Sequence, residues 1–221
     1  IAAETALAAA KKAEEERIAA AKAAFDALPD EKKINKQLEN IFKRKLVNEL
    51  DDGHCLFRTF ARFLYGEKDC EDSTKSETKD EDGKKCYHYL IRKNIVMHIA
   101  KNKSEYEPLL EVDGRKFDEY VADMLTYKAD PNNPRGRFAG EVEIKAFMDV
   151  YPRYKVNIFT WQEDTKTIKS NLGWSGPSSA ENVLQIFFRN QHYQSTESTD
   201  RGVKAQQDAA AVQRYQRMRA D

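Results

Sequence analysis

Asp52-Gly53-His54-Cys55-Leu56-Phe57-Arg58 sets a cysteine just after a glycine turn, at the point where an apolar helical pattern begins. Leu56, Phe57, Phe60, Ala61, Phe63 and Leu64 recur at helical spacing, so Cys55 is expected in the first turn of a buried helix. The N–H groups of a first turn have no intrahelical acceptor and carry the positive end of the helix dipole. A thiol placed there is expected to favour the thiolate, the form that attacks carbonyls. Taken alone, a cysteine followed by Leu-Phe is more often a small buried hydrophobe. Gly53 changes that reading, because it takes angles that aim successive N–H groups inward. The backbone of Asp52, Gly53, His54 and Cys55 is then expected to form an oxyanion hole.

A nucleophilic cysteine needs a base, and a further group that holds the base in its productive tautomer. His54 follows the turn directly and points away from its neighbour, while His88 and His98 lie inside a helical segment and read as packed or surface residues. His192 comes just after the apolar run Val183-Leu-Gln-Ile-Phe-Phe188 and before Tyr193. This placement suits a base on a strand end, facing a nucleophile on a helix start. Gln194 is two residues on, so its side chain is expected on the same face as the imidazole, with its amide oxygen available to Nδ1–H. Asp52 is the alternative orienting group, or else simply caps the helix.

Composition narrows the function classes. Lys+Arg and Asp+Glu are both 37, so no overall charge draws the chain to a polyanion, and nucleic acid is not an expected partner. No apolar run approaches the ~20 residues of a membrane span. The cysteines, Cys55, Cys70 and Cys86, cannot all pair and lack the spacing of a secreted disulfide framework, so a reducing intracellular compartment with at least one free thiol is expected. That location includes the cytoplasm, and also a host cytosol reached by a secreted effector. A zinc site of Cys70, Cys86 and His88 is disfavoured by the tight Cys86-x-His88 spacing. No cofactor is expected.

Along the chain, residues 1–30 form an Ala/Lys/Glu-rich helix, 31–200 the main domain and 201–221 a helical tail. Glu14-Glu15-Glu16 with Ile18 and Ala21 carries part of the pattern of a ubiquitin-interacting helix, which Lys22 and Phe25 break. Ile34, Leu38, Ile41, Phe42 and Leu46 predict a second helix, and the polar stretch 67–85 a loop. Helices are expected over Tyr87–Ala100, Tyr106–Leu110, Phe117–Leu125 and Glu141–Val150, with a break at Asp130–Gly136. Strands are expected at Lys155–Trp161 and Val183–Phe188, with turns over Asn171–Ser179. Helices first and strands late make an α+β pattern.

The Cys55 segment resembles the Asp-Gly-Asn-Cys-Leu-Phe-Arg signature of the OTU (ovarian tumour) deubiquitinating cysteine proteases. Tyr89-Leu-Ile-Arg92, Glu105-Tyr106-Glu107-Pro108 and Phe117-Asp-Glu-Tyr120 are similar to that family's middle helices, in the same order. Gly140-Glu141-Val142-Glu143-Ile144-Lys145-Ala146 resembles its Gly-Glu-x-Glu-Leu-x-Ala helix, and His192-Tyr193-Gln194-Ser195 its closing His-Tyr-Asn/Asp-Ser. His54 stands where the family has Asn, and Gln194 is one methylene longer than the family's residue. The resemblance implies a papain-like fold, with a small mixed β-sheet between helices and extra helices at both ends. It implies Cys55 as nucleophile, His192 as base, Asp52 and Gln194 as supporting residues, and no metal. The implied substrate is the isopeptide bond after the Gly-Gly tail of ubiquitin or of a polyubiquitin chain, cut by a monomer without membrane or nucleic acid. A narrow channel for the two glycines is expected between the Gly136–Gly140 loop, with Glu141, and the Asn171–Pro177 turn, with Trp174 as a wall. A weakly active ubiquitin-binding module and a protease for a ubiquitin-like modifier are the alternatives.

Overall fold

The computed structural model describes residues 2–66, 86–111, 116–125, 138–171, 182–204, 206–207 and 209–210. Its first helix, α1 (Ala2–Asp26), is built from strong helix formers and exposes every side chain from Ala6 to Ala24. Helix α2 (Asp30–Phe42) starts after Pro29 with Asp30 and Glu31 in its first turn. It buries Lys33, Ile34, Gln37 and Leu38 along one stripe. Lys43 ends it in the left-handed region, at φ 55°, with its N–H on the Leu38 carbonyl. Leu46 is therefore not the last apolar position of this helix, as its spacing predicts, but lies in a strand, β1 (Arg44–Val47).

Helices α3 (Cys55–Tyr65), α4 (Tyr87–Lys101), α5 (Lys103–Glu111), α6 (Phe117–Leu125) and α7 (Glu141–Val150) follow, where their periodicity places them. Strands β2 (Tyr154–Gln162), β3 (Thr167–Asn171), β4 (Asn182–Arg189) and β5 (His192–Ser198) join β1 in one sheet, ordered β1-β5-β4-β2-β3. β2 and β4 run parallel and the other neighbours antiparallel, so the sheet is mixed. One face carries Val156, Leu184, Ile186 and Tyr193 into the main core, where Phe60 of α3 stacks on Phe147 of α7 at 4.0 Å. The other face meets α2, packing Phe159, Trp161, Ile168 and Phe187 against Ile34 and Leu38. The sheet thus lies between helices, an α+β arrangement.

Gln37 joins α2 to the sheet. Its amide oxygen accepts the Ile168 N–H at 2.9 Å, and its amide nitrogen donates to the Lys166 carbonyl at 2.8 Å. Gln37→Ala is expected to destabilise the protein by about 1–3 kcal/mol, because it strips partners from two backbone groups beneath the helix. Urea unfolding measures this, and an unchanged midpoint would show that water replaces the amide.

Asn190 and Gln191 connect β4 to β5 with φ of 53° and 61°, and Arg189 pairs with His192. Two successive left-handed residues make the tight hairpin turn that matches strand twist. His192 therefore begins β5 rather than trailing β4. The 67–85 stretch, the Asp130–Gly136 break, residues 172–179 of the expected turn and residues 211–221 lie outside the described residues. No described helix is long and apolar enough to cross a membrane. Cys55 is free, in line with the expectation of at least one free thiol, whereas Cys86 is disulfide-bonded. A disulfide sulfur is no thiolate ligand, which removes Cys86 from the zinc reading; Cys70 lies outside the described residues.

Candidate active site

The turn before α3 is held from two sides. Gly53 takes φ 79°, a conformation that disfavours a side chain, and His54 forms the N-cap. Asp52 accepts the His54 N–H on Oδ1 at 3.0 Å, while its Oδ2 takes Nη2 of Arg58 at 2.6 Å and Nε at 3.1 Å. From the other side the buried Arg92 donates to Nδ1 of His54 at 2.9 Å and to the Gly53 carbonyl at 3.4 Å, with its Nε on the Met124 carbonyl at 2.7 Å. Guanidinium only donates, so His54 accepts through Nδ1. His54 is fully buried against Tyr89 and His88, which removes it as a base by geometry. Its N–H, expected in the oxyanion hole, is occupied by Asp52. Arg92 thus buttresses the turn, a contact that the sequence alone does not disclose. Nothing in its local sequence singles it out, since His88, Lys93, Asn94, His98 and Lys101 also stand on α4.

Cys55 opens α3 and is 3% exposed. Burial pushes the thiol up from 9.0 to about 11, with Asp51 and Asp52 adding to the rise and the backbone N–H groups of Tyr193 and Leu56 opposing it. The magnitudes explain why the first-turn argument for a thiolate fails here. A rise of that size is about 3 kcal/mol against ionisation. A helix terminus offers ~0.3–1 kcal/mol. The free protein therefore holds Cys55 protonated at neutral pH. Iodoacetamide labelling of Cys55, taken as the difference between the wild type and Cys55→Ala, is expected to be slow at pH 7 and to climb as pH approaches 11. A rate that has levelled off by neutral pH would show a preformed thiolate.

The backbone N–H of Tyr193, the residue that follows His192, acts on the sulfur. Cys55 and His192 do not hydrogen-bond each other in this structure. The imidazole Nε2 lies 3.1 Å from the Glu49 carbonyl. Nδ1 is buried without a hydrogen-bond partner, 3.7 Å from Oδ1 of the exposed Asp51. Neither expected orienting group touches the ring. Gln194 donates instead to Oδ1 of Asn48 at 2.8 Å, because Asn48 extends β1 alongside β5 and lies within its reach. Asp52 is held by Arg58 and the His54 N–H.

Gly140 caps α7, its N–H donating to Oε2 of Glu143 at 2.6 Å, and an added Cβ there would meet nothing within 4 Å. Glu141 is exposed in the first turn of α7. Trp174 lies outside the described residues, as do Gly136 and most of the facing turn, so the expected channel is described only at its Gly140 end. Beside His192 a groove of about 400 Å³ runs between α2 and the β4–β5 hairpin, with Ile34, Leu46 and Phe187 along it and Asp51 and Asn48 at its rim.

No protein-family model matches the chain. Among curated proteins, the OVARIAN TUMOR DOMAIN-containing deubiquitinating enzyme 7 of Arabidopsis thaliana is 26% identical over 141 residues, which cover 59% of this chain and 30% of that protein. The chain thus spans less than a third of that relative's length. The solved OTU domain of OTUD1 superposes with a TM-score of 0.58 at 18% identity, covering 80% of this chain and 99% of that one. The chain has an OTU fold. Within this OTU fold α3 packs on β5, which is how the helix start at Cys55 and the strand start at His192 meet across 137 residues of chain.

Proposed function

We propose that this chain is a cysteine-type deubiquitinase, with Cys55 as nucleophile and His192 as general base. The observation that carries the reading is the packing, in an OTU fold, of the helix that starts at the free Cys55 on the strand that starts at His192. His192 Nδ1 takes the thiol proton, and the sulfur attacks the carbonyl carbon of the last glycine of ubiquitin. The tetrahedral oxyanion then lies against the N–H groups of Gly53 and Cys55. Imidazolium gives its proton to the departing lysine amine, leaving a thioester on Cys55. Water, deprotonated by His192, attacks the thioester and releases the ubiquitin carboxylate. The groove beside His192 lies on the side of the base, which suits the departing lysine.

The test is incubation with ubiquitin bearing a C-terminal electrophile. A covalent adduct is expected, and Cys55→Ala is expected to abolish it. An adduct retained by Cys55→Ala overturns the assignment. A panel of defined di-ubiquitins, run beside ubiquitin-like modifiers, then reads linkage and modifier choice. The protonated thiol and the missing Cys55–His192 bond favour a second reading, a ubiquitin-binding module with little turnover. Turnover of any chain type that is lost in His192→Ala removes it.

A further inference from the structure

We propose that Glu49 is a positioning residue that sets the tautomer and orientation of the His192 imidazole; this rests on the reading of Cys55 and His192 as nucleophile and base. The Glu49 carbonyl lies 3.1 Å from Nε2 and is the ring's hydrogen-bond partner among the described residues. A carbonyl oxygen only accepts, so Nε2 carries the hydrogen and the neutral ring keeps its lone pair on Nδ1. Nδ1 is the buried nitrogen without a partner, and Asp51 at 3.7 Å is beyond hydrogen-bond reach. Free base character is therefore left on one nitrogen by what is bonded to the other.

The side chain of the same residue holds that carbonyl in place. The Glu49 side chain is 6% exposed, and its Oε1 accepts Nε of Arg62 at 2.7 Å and Oγ of Ser195 at 2.5 Å. Arg62 stands on α3, two turns beyond Cys55, and Ser195 on β5, three residues from His192. One carboxylate oxygen thus ties the segment between β1 and α3 to the helix of the nucleophile and to the strand of the base. The two side chains that the sequence nominates for this work, Asp52 and Gln194, are bonded elsewhere. A backbone carbonyl does it instead, and an ion pair anchors the carbonyl.

The tautomer is read by long-range ¹H–¹⁵N NMR of the imidazole in the free, full chain. The Nε2–H form is expected for His192. Glu49→Ala releases the carbonyl, and is expected to mix the tautomers and to lower kcat on di-ubiquitin about 100-fold with KM nearly unchanged, the cost of a misplaced catalytic group. Glu49→Gln keeps an acceptor oxygen for Arg62 and Ser195 and is expected to retain most of kcat. Ser195→Ala removes one arm and no charge; a drop of about fivefold is expected, one hydrogen bond's worth, and this variant decides the matter if Glu49→Ala fails to fold. Unchanged kcat and tautomer in Glu49→Ala, or in Ser195→Ala if that variant must stand in, overturn the inference. An Nδ1–H tautomer in an active wild type overturns this inference alone. A wild type inert toward every ubiquitin substrate overturns the deubiquitinase reading and the part of Glu49 in it.

Discussion

His192→Ala is expected to lower kcat on a cleavable di-ubiquitin by about 10²–10⁴-fold, the range in which a positioned general base acts. The free protein sharpens this expectation. Its thiol is pushed up to about 11 by burial, so ionisation depends on an acceptor at hand rather than on the helix start. With the imidazole gone, the proposed mechanism leaves the thiol proton without its acceptor. Gln194→Ala is expected to leave kcat nearly unchanged, because that amide is spent on Asn48. Steady-state kinetics of the two variants side by side check this. Equal losses would return the orienting role to Gln194.

Asp52→Ala is expected to cost about 3–5 kcal/mol of stability, the range for breaking a buried ion pair from one side. Arg58 is 2% exposed and Asp52 11%, and the carboxylate also holds the His54 N–H, so its loss leaves a buried guanidinium without this partner and frees the turn. Urea unfolding gives the magnitude. Replacing both partners with apolar residues of similar size, Asp52→Leu with Arg58→Met, is expected to recover part of the loss, since the cost lies in stranding one charge. A double variant as unstable as Asp52→Ala would locate the cost in the turn. A stable Asp52→Ala with kcat reduced like His192→Ala would place Asp52 in the chemistry.

The sequence disclosed whatever rests on apolar periodicity. The start of α3 at Cys55 and helices α4 to α7 fall where Leu, Ile and Phe recur at helical spacing. The OTU fold was legible too, through motifs that recur in one order. Three strands were not. β5 reads His-Tyr-Gln-Ser-Thr-Glu-Ser, and its buried positions after Tyr193 are Ser195, Thr196 and Ser198, so no hydrophobic alternation marks it. β3 buries only Ile168 among its five residues. β1 is four residues long, and Leu46 happens to continue the period of α2. Its start depends on Lys43 in a left-handed conformation with no glycine to announce it. At the site, the same-face rule put Gln194 beside His192 but could not foresee Asn48, which competes from 146 residues away. Glu49 was invisible for a simpler reason: every residue has a carbonyl, and only the fold selects which one meets the ring.

The burial of Cys55 also bears on how long such a protein stays intact. Peroxide oxidises thiolates, step by step, to acids that mostly do not revert. A sulfur that is 3% exposed and protonated until about pH 11 offers an oxidant neither access nor charge. On the deubiquitinase reading, the nucleophile is thus chemically quiet between turnovers. The same shielding that slows the first step preserves the atom that performs it.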